Sequence, residues 1–269
     1  MDVDRAQRVA IKAAYKGAEE IRRHFGKIGE VDKKGPIDLV TTADRDSEKQ
    51  IIATIREVFP GHAIMAEESG RHGGETDVLW VIDPLDGTTN FAHGVPIFAV
   101  SIALCSADRT LLGVILNPVS GELFSAIEGR GALLNGKPVS VTKTASVAES
   151  LLVTGFSYRI AEDAGHAVRR FERCLRASRG IRRLGAAALD LCFVACGRFD
   201  AFWEKDLKPW DTAAGVLVAG EAGARISTYD GSPFRNDIPE ILATNGMVHD
   251  EMIGLLRLAE SGFAADERR

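Results

Sequence analysis

The run Asp83-Pro84-Leu85-Asp86-Gly87-Thr88-Thr89-Asn90-Phe91 has the residue types and spacing best suited to chemistry. It follows the apolar stretch Val78-Leu79-Trp80-Val81-Ile82, which reads as a short buried strand, so two carboxylates fall where a strand ends and the backbone turns. Pro84 fixes its own φ and disfavours helix at Asp83. Gly87 permits a further turn, so Asp83 and Asp86 can face one space. Hard divalent cations want such oxygens. Mg²⁺ takes one or two carboxylates with waters and substrate phosphate oxygens, and the Leu85 carbonyl lies between the two acids. Thr88-Thr89-Asn90 then opens a helical turn whose free N–H groups face an anion. Alone, D-x-x-D-G is also an ordinary turn, so the rest of the chain has to decide.

Further acids sit in comparable places. Glu67 and Glu68 follow Ala63-Ile64-Met65-Ala66, another strand end, where an acidic pair by itself is a solvated turn. Asp211 follows Trp210 at the start of a helix, and Asp44 lies in the first turn of another; a lone Asp at either place is explained by capping. Taken together, the run 83–91, the Glu67-Glu68 pair and Trp210-Asp211 followed by Ala214-Gly215 resemble the inositol monophosphatase family. The similarity extends over 33–44, including Asp38-Leu39-Val40-Thr41-Thr42-Ala43-Asp44, and over 182–204.

That resemblance implies a phosphate monoester hydrolase converting myo-inositol 1-phosphate to myo-inositol and phosphate. Its metal ligands would be Glu67, Asp83, Leu85 through its carbonyl, Asp86 and Asp211. Four carboxylates without a cation would repel a phosphate ester, so cations come first. Two or three Mg²⁺ ions would reverse the sign of the site and lower the pKa of a bound water enough to make it the nucleophile of a direct in-line attack. Thr88 and Asp44 match the family's water-activating pair, with Glu67 as the third catalytic residue; a Thr hydroxyl can accept from water while donating to a carboxylate. Substrate contacts by resemblance are Gly87, Thr88, Gly185, Ala187, Glu204 and Arg182, with Glu204 accepting from ring hydroxyls. The loop Gly155-Phe156-Ser157-Tyr158-Arg159 is similar to the bacterial version but has Ser157 where proline is expected. The family also implies lithium sensitivity and a homodimer. Relatives act on fructose 1,6-bisphosphate, histidinol phosphate or adenosine 3′,5′-bisphosphate, but Arg182-Arg183-Leu184-Gly185-Ala186-Ala187-Ala188-Leu189-Asp190 is most similar to the inositol monophosphatase form. A different reading is a regulatory role in contact with the transcription machinery, known among bacterial relatives.

Composition sets the outer limits. With 269 residues, 45% hydrophobic and 26% charged, the chain has the make-up of a globular protein with room for a large core. A formal charge of −5 argues against a general nucleic-acid binder; the cluster Arg179, Arg182, Arg183 reads as solvated surface or as a hold on an anion. No apolar run is long enough to span a bilayer, and the chain is charged from Asp2 onward, so no membrane and a cytoplasmic location are expected. Cysteines 105, 174, 192 and 196 lack C-x-x-C spacing. Cys192 and Cys196 join Leu189 and Phe193 on one helical stripe and read as core thiols.

The elements that must position these residues follow from periodicity. Helices are predicted over 4–25, 43–59, 162–177, 186–196 and 248–259, with a short one after Asp211. Strands are predicted over 63–66, 78–82, 97–105, 111–116, 123–128, 132–134, 151–154, 181–184, 199–204, 225–228 and 240–244, with Asn135-Gly136 as a tight turn. The pattern indicates α+β. The resemblance sharpens this to a five-layer αβαβα sugar-phosphatase fold with a large antiparallel sheet and a smaller second sheet. Residues 1–147 would carry most metal ligands, and 148–269 the substrate contacts and one ligand.

Overall fold

The computed structural model describes residues 2–27, 31–33, 39–73, 76–106 and 109–258. Residues 34–38 of the family-like stretch and Ala259 of the last predicted helix lie outside the described residues.

Helix α1 (Val3–His24) starts on Asp2, whose side chain accepts from the Arg5 N–H, and buries Val9, Ala13, Ala14, Ala18 and Ile21 along one face. An antiparallel pair, β1 (Val31–Lys33) and β2 (Leu39–Thr41), leads into α2 (Thr42–Val58). Strands β3 (Ala63–Ala66), β4 (Gly70–His72) and β5 (Val78–Asp86) come next, then the short helix α3 (Thr88–Ala92). After α3 come β6 (Ala99–Ser106), β7 (Arg109–Leu116), β8 (Leu123–Ile127), β9 (Ala132–Leu134) and β10 (Lys137–Pro138). Asn135 and Gly136 both take positive φ, 49° and 77°, and make the tight turn between β9 and β10.

Strands β3 to β10 form one sheet in the order β10-β9-β8-β7-β6-β5-β3-β4. It is antiparallel apart from β3 and β5, which run in the same direction with Ala66 opposite Ile82. The parallel pair arises because β4, which has no apolar alternation to announce it, folds back along the outer edge of β3. The chain then re-enters on the other side of β3 in β3's own direction. As a result Glu67 and Asp83 come to the same end of the sheet.

The second half contributes β11 (Leu151–Thr154), α4 (Ile160–Ala177), β12 (Gly180–Arg182), α5 (Ala187–Ala195), β13 (Ala201–Lys205), α6 (Pro209–Glu221), β14 (Arg225–Ser227), β15 (Glu240–Thr244) and α7 (His249–Leu256). Its sheet has the order β12-β11-β13-β15-β14, with β11 parallel to both β12 and β13.

Alternation along the strands sorts the core into layers. On β5 and β6, Trp80, Ile82, Val100, Ile102 and Leu104 pack with α1 and α2. The opposite face, through Val81, Ala99 and Ala103, packs with α5 and α6, as do Phe202 and Ala243 of the second sheet. Ala201, Trp203 and Leu242 face α4 and α7. The order is helix, sheet, helix, sheet, helix, the αβαβα arrangement expected. Helices α5 and α6 come from the second half, yet they lie on the first sheet, so the two halves share one core. Gly113 of β7 makes that approach close: a Cβ there would stand 2.7 Å from the Ala214 carbonyl oxygen of α6. Cys192 is buried on α5 and Cys196, which caps that helix, is half-buried, both as free thiols. Among the described residues no helix is long and apolar enough to cross a membrane.

Candidate active site

The bared ends of β3 and β5, the start of α6 and the ends of β12 and β13 enclose a cleft of about 660 Å³. Glu67, Asp83, Leu85, Asp86, Gly87, Thr88, Gly185, Ala187, Glu204 and Asp211 all line it. Residues spread over much of the chain thus meet in one space.

Each acid is placed by backbone. The Glu67 N–H donates to the Ile82 carbonyl at 3.1 Å, continuing the parallel pairing by one residue. The turn after it is pinned from α2, where the buried Glu48 carboxylate accepts from the N–H groups of Glu68 (2.8 Å) and Ser69 (3.0 Å). Strand β5 runs on through the acids, with a register shift against β6 between Asp83 and Asp86. The sequence places these acids just beyond the strand; the structure places them within its irregular last residues, where a bulge re-aims side chains. Asp83 Oδ1 accepts from the Leu85 N–H at 2.9 Å, and Asp86 Oδ2 accepts from the Ala188 N–H at 2.9 Å, closing the first turn of α5. Asp211, in the first turn of α6, accepts from the Lys208 N–H at 2.7 Å.

Gly87 carries φ of 91° and caps α3. A Cβ there would lie 3.0 Å from the Ile97 carbonyl oxygen and 3.2 Å from that of Gly185, so a side chain is excluded by both conformation and space. Thr88 follows, its Oγ1 3.0 Å from Asp44 Oδ1 and 3.0 Å from the Leu85 carbonyl oxygen. Asp44 is fully buried behind Thr88 and does not line the cleft. It accepts from Thr41 through the N–H (2.8 Å) and the hydroxyl (2.6 Å), completing a capping box at α2. Capping and pairing with Thr88 are therefore performed by the same carboxylate.

Electrostatics tell what this wall lacks. Burial first, then the charges of Glu67, Asp86 and Asp211, push Asp83 well above the ordinary carboxyl range. Asp86 is pushed up to about 7 by burial, although the Ala188 N–H pulls it back. Burial also raises Asp211 well above its usual value, against the Lys208 N–H and with the charges of Asp86, Glu67 and Glu204. Burial takes Asp44 to about 6 despite its bonds from Thr41 and Thr88. Among the described residues no three such groups are drawn in tightly enough to grip an ion as they stand. The donor set nonetheless fits a hard cation: carboxylates, the Leu85 carbonyl and the Thr88 hydroxyl offer oxygen alone, and the shared negative charge calls for a positive partner.

The facing wall is built differently. Glu204, next to last in β13, sets its carboxylate over Gly155, where a Cβ would collide with it. Burial pushes Glu204 up to about 8, while the Arg183 charge pulls it down. Phe156, Ser157 and Tyr158 line the same side, so the loop that departs from the family pattern does border the cleft.

One expected contact is corrected. Arg182 does not line the cleft: it is the last residue of the edge strand β12, is exposed, and donates through Nη1 to its neighbour's Ile181 carbonyl at 3.0 Å. Arg183 enters instead. Successive side chains of an extended segment point to opposite sides, so a one-residue uncertainty in the strand end inverts the assignment. Asp190 and Glu48 also went unrecognised. Asp190 is fully buried in α5 with neither carboxylate oxygen hydrogen-bonded among the described residues, and burial together with Glu204 and Asp86 pushes it well above its usual range. A charged residue in the otherwise apolar run 186–195 was the available signal.

The description "Inositol monophosphatase family" fits residues 2–260 of the chain. An inositol-1-monophosphatase of Synechocystis sp. is 44% identical over 257 residues, covering 95% of this chain and 90% of that protein. A Pseudomonas aeruginosa protein named Nus factor SuhB is 46% identical over 231 residues, covering 83% and 85%. The structure of an inositol monophosphatase from Anabaena (Nostoc) sp. superposes with a TM-score of 0.86 at 40% identity, covering 95% of this chain and 96% of that one. The chain belongs to the inositol monophosphatase family.

Proposed function

We propose that this member of the family hydrolyses myo-inositol 1-phosphate to myo-inositol and inorganic phosphate. The observation that carries the reading is the pairing of two walls in one cleft: Glu67, Asp83, Asp86 and Asp211 with the Leu85 carbonyl on one, Glu204 on the other. The first suits cations and phosphate, the second a polyol.

Mg²⁺ is the ion we assign, two or three per site, held by Glu67, Asp83, Leu85, Asp86 and Asp211. When bound, such ions polarise phosphate oxygens and make a water nucleophilic near neutral pH. The chain's own residues do the rest. Thr88 Oγ1 has its proton directed at Asp44 Oδ1 or the Leu85 carbonyl, both 3.0 Å away, leaving a lone pair to accept from the attacking water. As the new P–O bond forms and the ester P–O bond breaks, the proton of the attacking water passes through Thr88 toward Asp44, whose buried carboxylate is the more basic for its burial, and the departing inositol oxygen takes its proton from solvent water at the cleft mouth. The N–H groups of Gly87 and Thr88 face the phosphate. Gly185 and Ala187 border the ring, and Glu204 accepts from its hydroxyls.

We divide the chain at 147/148, where a single 3₁₀ turn, Val147–Glu149, leads into β11. A homodimer, lithium sensitivity and a cytoplasmic location are part of the same proposal by family likeness. Substrates such as fructose 1,6-bisphosphate or histidinol phosphate would use the same carboxylate wall and differ at Glu204. Phosphate release from a panel of these esters decides: the reading expects inositol phosphate to lead, and a lead for either rival would displace it. The SuhB name of the Pseudomonas relative supports a second, regulatory role in contact with transcription machinery. Retention of that machinery from lysate, with and without RNase, would separate a protein contact from one through RNA.

A further inference from the structure

Arg183 stands just past β12 and lines the cleft. Its turn is held from the first half, where Asn90 Nδ2 donates to the Leu184 carbonyl at 2.7 Å. Gly185 takes φ of 85°, and a Cβ there would run into an Arg183 guanidinium nitrogen, so the guanidinium lies against that glycine inside the cleft. Across from it, the Glu204 carboxylate lies over Gly155. The charge of Arg183 is felt at both Glu204 and Asp190. Yet among the described residues no ion pair closes between Arg183 and either acid, and neither the Arg183 nor the Glu204 side chain has a hydrogen-bond partner.

A guanidinium and a carboxylate that share a field without touching leave a gap with donors on one side and acceptors on the other. The neighbouring acids make a second anion a poor occupant. A pair of adjacent hydroxyls fits: each O–H can donate to Glu204 while each oxygen accepts from the forked N–H groups of arginine. We propose that Arg183 is a specificity-determining residue that, with Glu204, clamps a vicinal diol of the leaving polyol. This rests on the polyol phosphatase reading above.

The test compares kcat/KM on myo-inositol 1-phosphate with that on p-nitrophenyl phosphate, whose leaving group has no aliphatic hydroxyls. Hydrogen bonds involving a charged group predict a loss of roughly 10- to 150-fold on the inositol ester for Arg183→Ala. The loss on p-nitrophenyl phosphate should be far smaller, and that activity also reports folding. Arg183→Lys should not rescue, because an ammonium cannot fork. The double variant with Glu204→Gln should lose less than the product of the single losses, since both residues grip the same diol. Equal losses on both substrates, full rescue by lysine, or multiplicative losses would each overturn the clamp. If the unaltered enzyme does not favour the inositol ester at all, the polyol reading itself fails, whatever Arg183 does.

Discussion

The two walls of the cleft are held in opposite ways. On the carboxylate wall, Asp83, Asp86 and Asp211 each accept a backbone N–H, and Asp44 accepts from Thr41 and Thr88 behind them. On the polyol wall, Glu204 and Arg183 are held in place by shape, over Gly155 and against Gly185, with no protein partner among the described residues for their polar ends. The first wall is fixed before anything binds and stores repulsion. The second keeps its hydrogen-bonding capacity for the ligand. A site of this kind separates chemistry from recognition, so changes on one wall should alter turnover on every substrate and changes on the other should alter choice among substrates.

The largest effect should come from Asp83→Asn. On the proposed ligand set, losing Asp83 should remove several kcal/mol of transition-state stabilisation, on the order of 10³-fold in kcat, for inositol phosphate and p-nitrophenyl phosphate alike. Asp211→Asn should cost less. Because Asp83 sits among like charges, the metal-free Asp83→Asn protein should melt higher than the unaltered one, which differential scanning calorimetry reads directly. Near-normal turnover in Asp83→Asn would remove the first wall from the account.

A smaller, selective loss is expected across the cleft. Glu204→Gln should reduce kcat/KM on inositol phosphate by roughly 10- to 150-fold and leave p-nitrophenyl phosphate nearly as before. Gly155→Ala should imitate it, because the added methyl displaces the Glu204 carboxylate without touching the other wall. If both variants lose equally on the two esters, the walls are not separate in function.

The smallest effect is thermodynamic. Burial raises Asp44 to about 6, Asp86 to about 7 and Glu204 to about 8, whereas the unfolded chain releases these protons near pH 4. Between those limits the native state binds more protons than the unfolded one, so stability must fall as pH rises. The metal-free protein should therefore melt highest near about pH 5 and lower toward about pH 8, and Mg²⁺ should raise the melting temperature more at the higher pH. A melting temperature that climbs over this range without metal would show that the acids are already compensated.

The same contrast governs what could be read in advance. The carboxylate wall was legible because its central motif is contiguous and its other acids follow clean strand or helix signals, as at 63–66, where expectation and β3 coincide. The pattern of helices and strands indicated α+β, and the family resemblance supplied the five layers that alternation on β5 and β6 builds. Helix α6 was not legible in full: expected as a short helix after Asp211, it spans Pro209–Glu221. Apolar and small residues fill it on all sides, since it lies between two sheets, and no polar face marks its length. Strand β4 and the parallel pairing it creates were hidden because Gly70-Arg71-His72 has no buried face to produce a period. The exchange of Arg182 for Arg183 depended on where an edge strand stops, and Asp190 on knowing that α5 is enclosed.

The central claim, that the acid wall exists to work with divalent cations, is tested most directly by phosphate release from myo-inositol 1-phosphate after exhaustive chelation and again after Mg²⁺ is returned. The account predicts that activity disappears with EDTA and recovers with Mg²⁺. Turnover that survives chelation would contradict it.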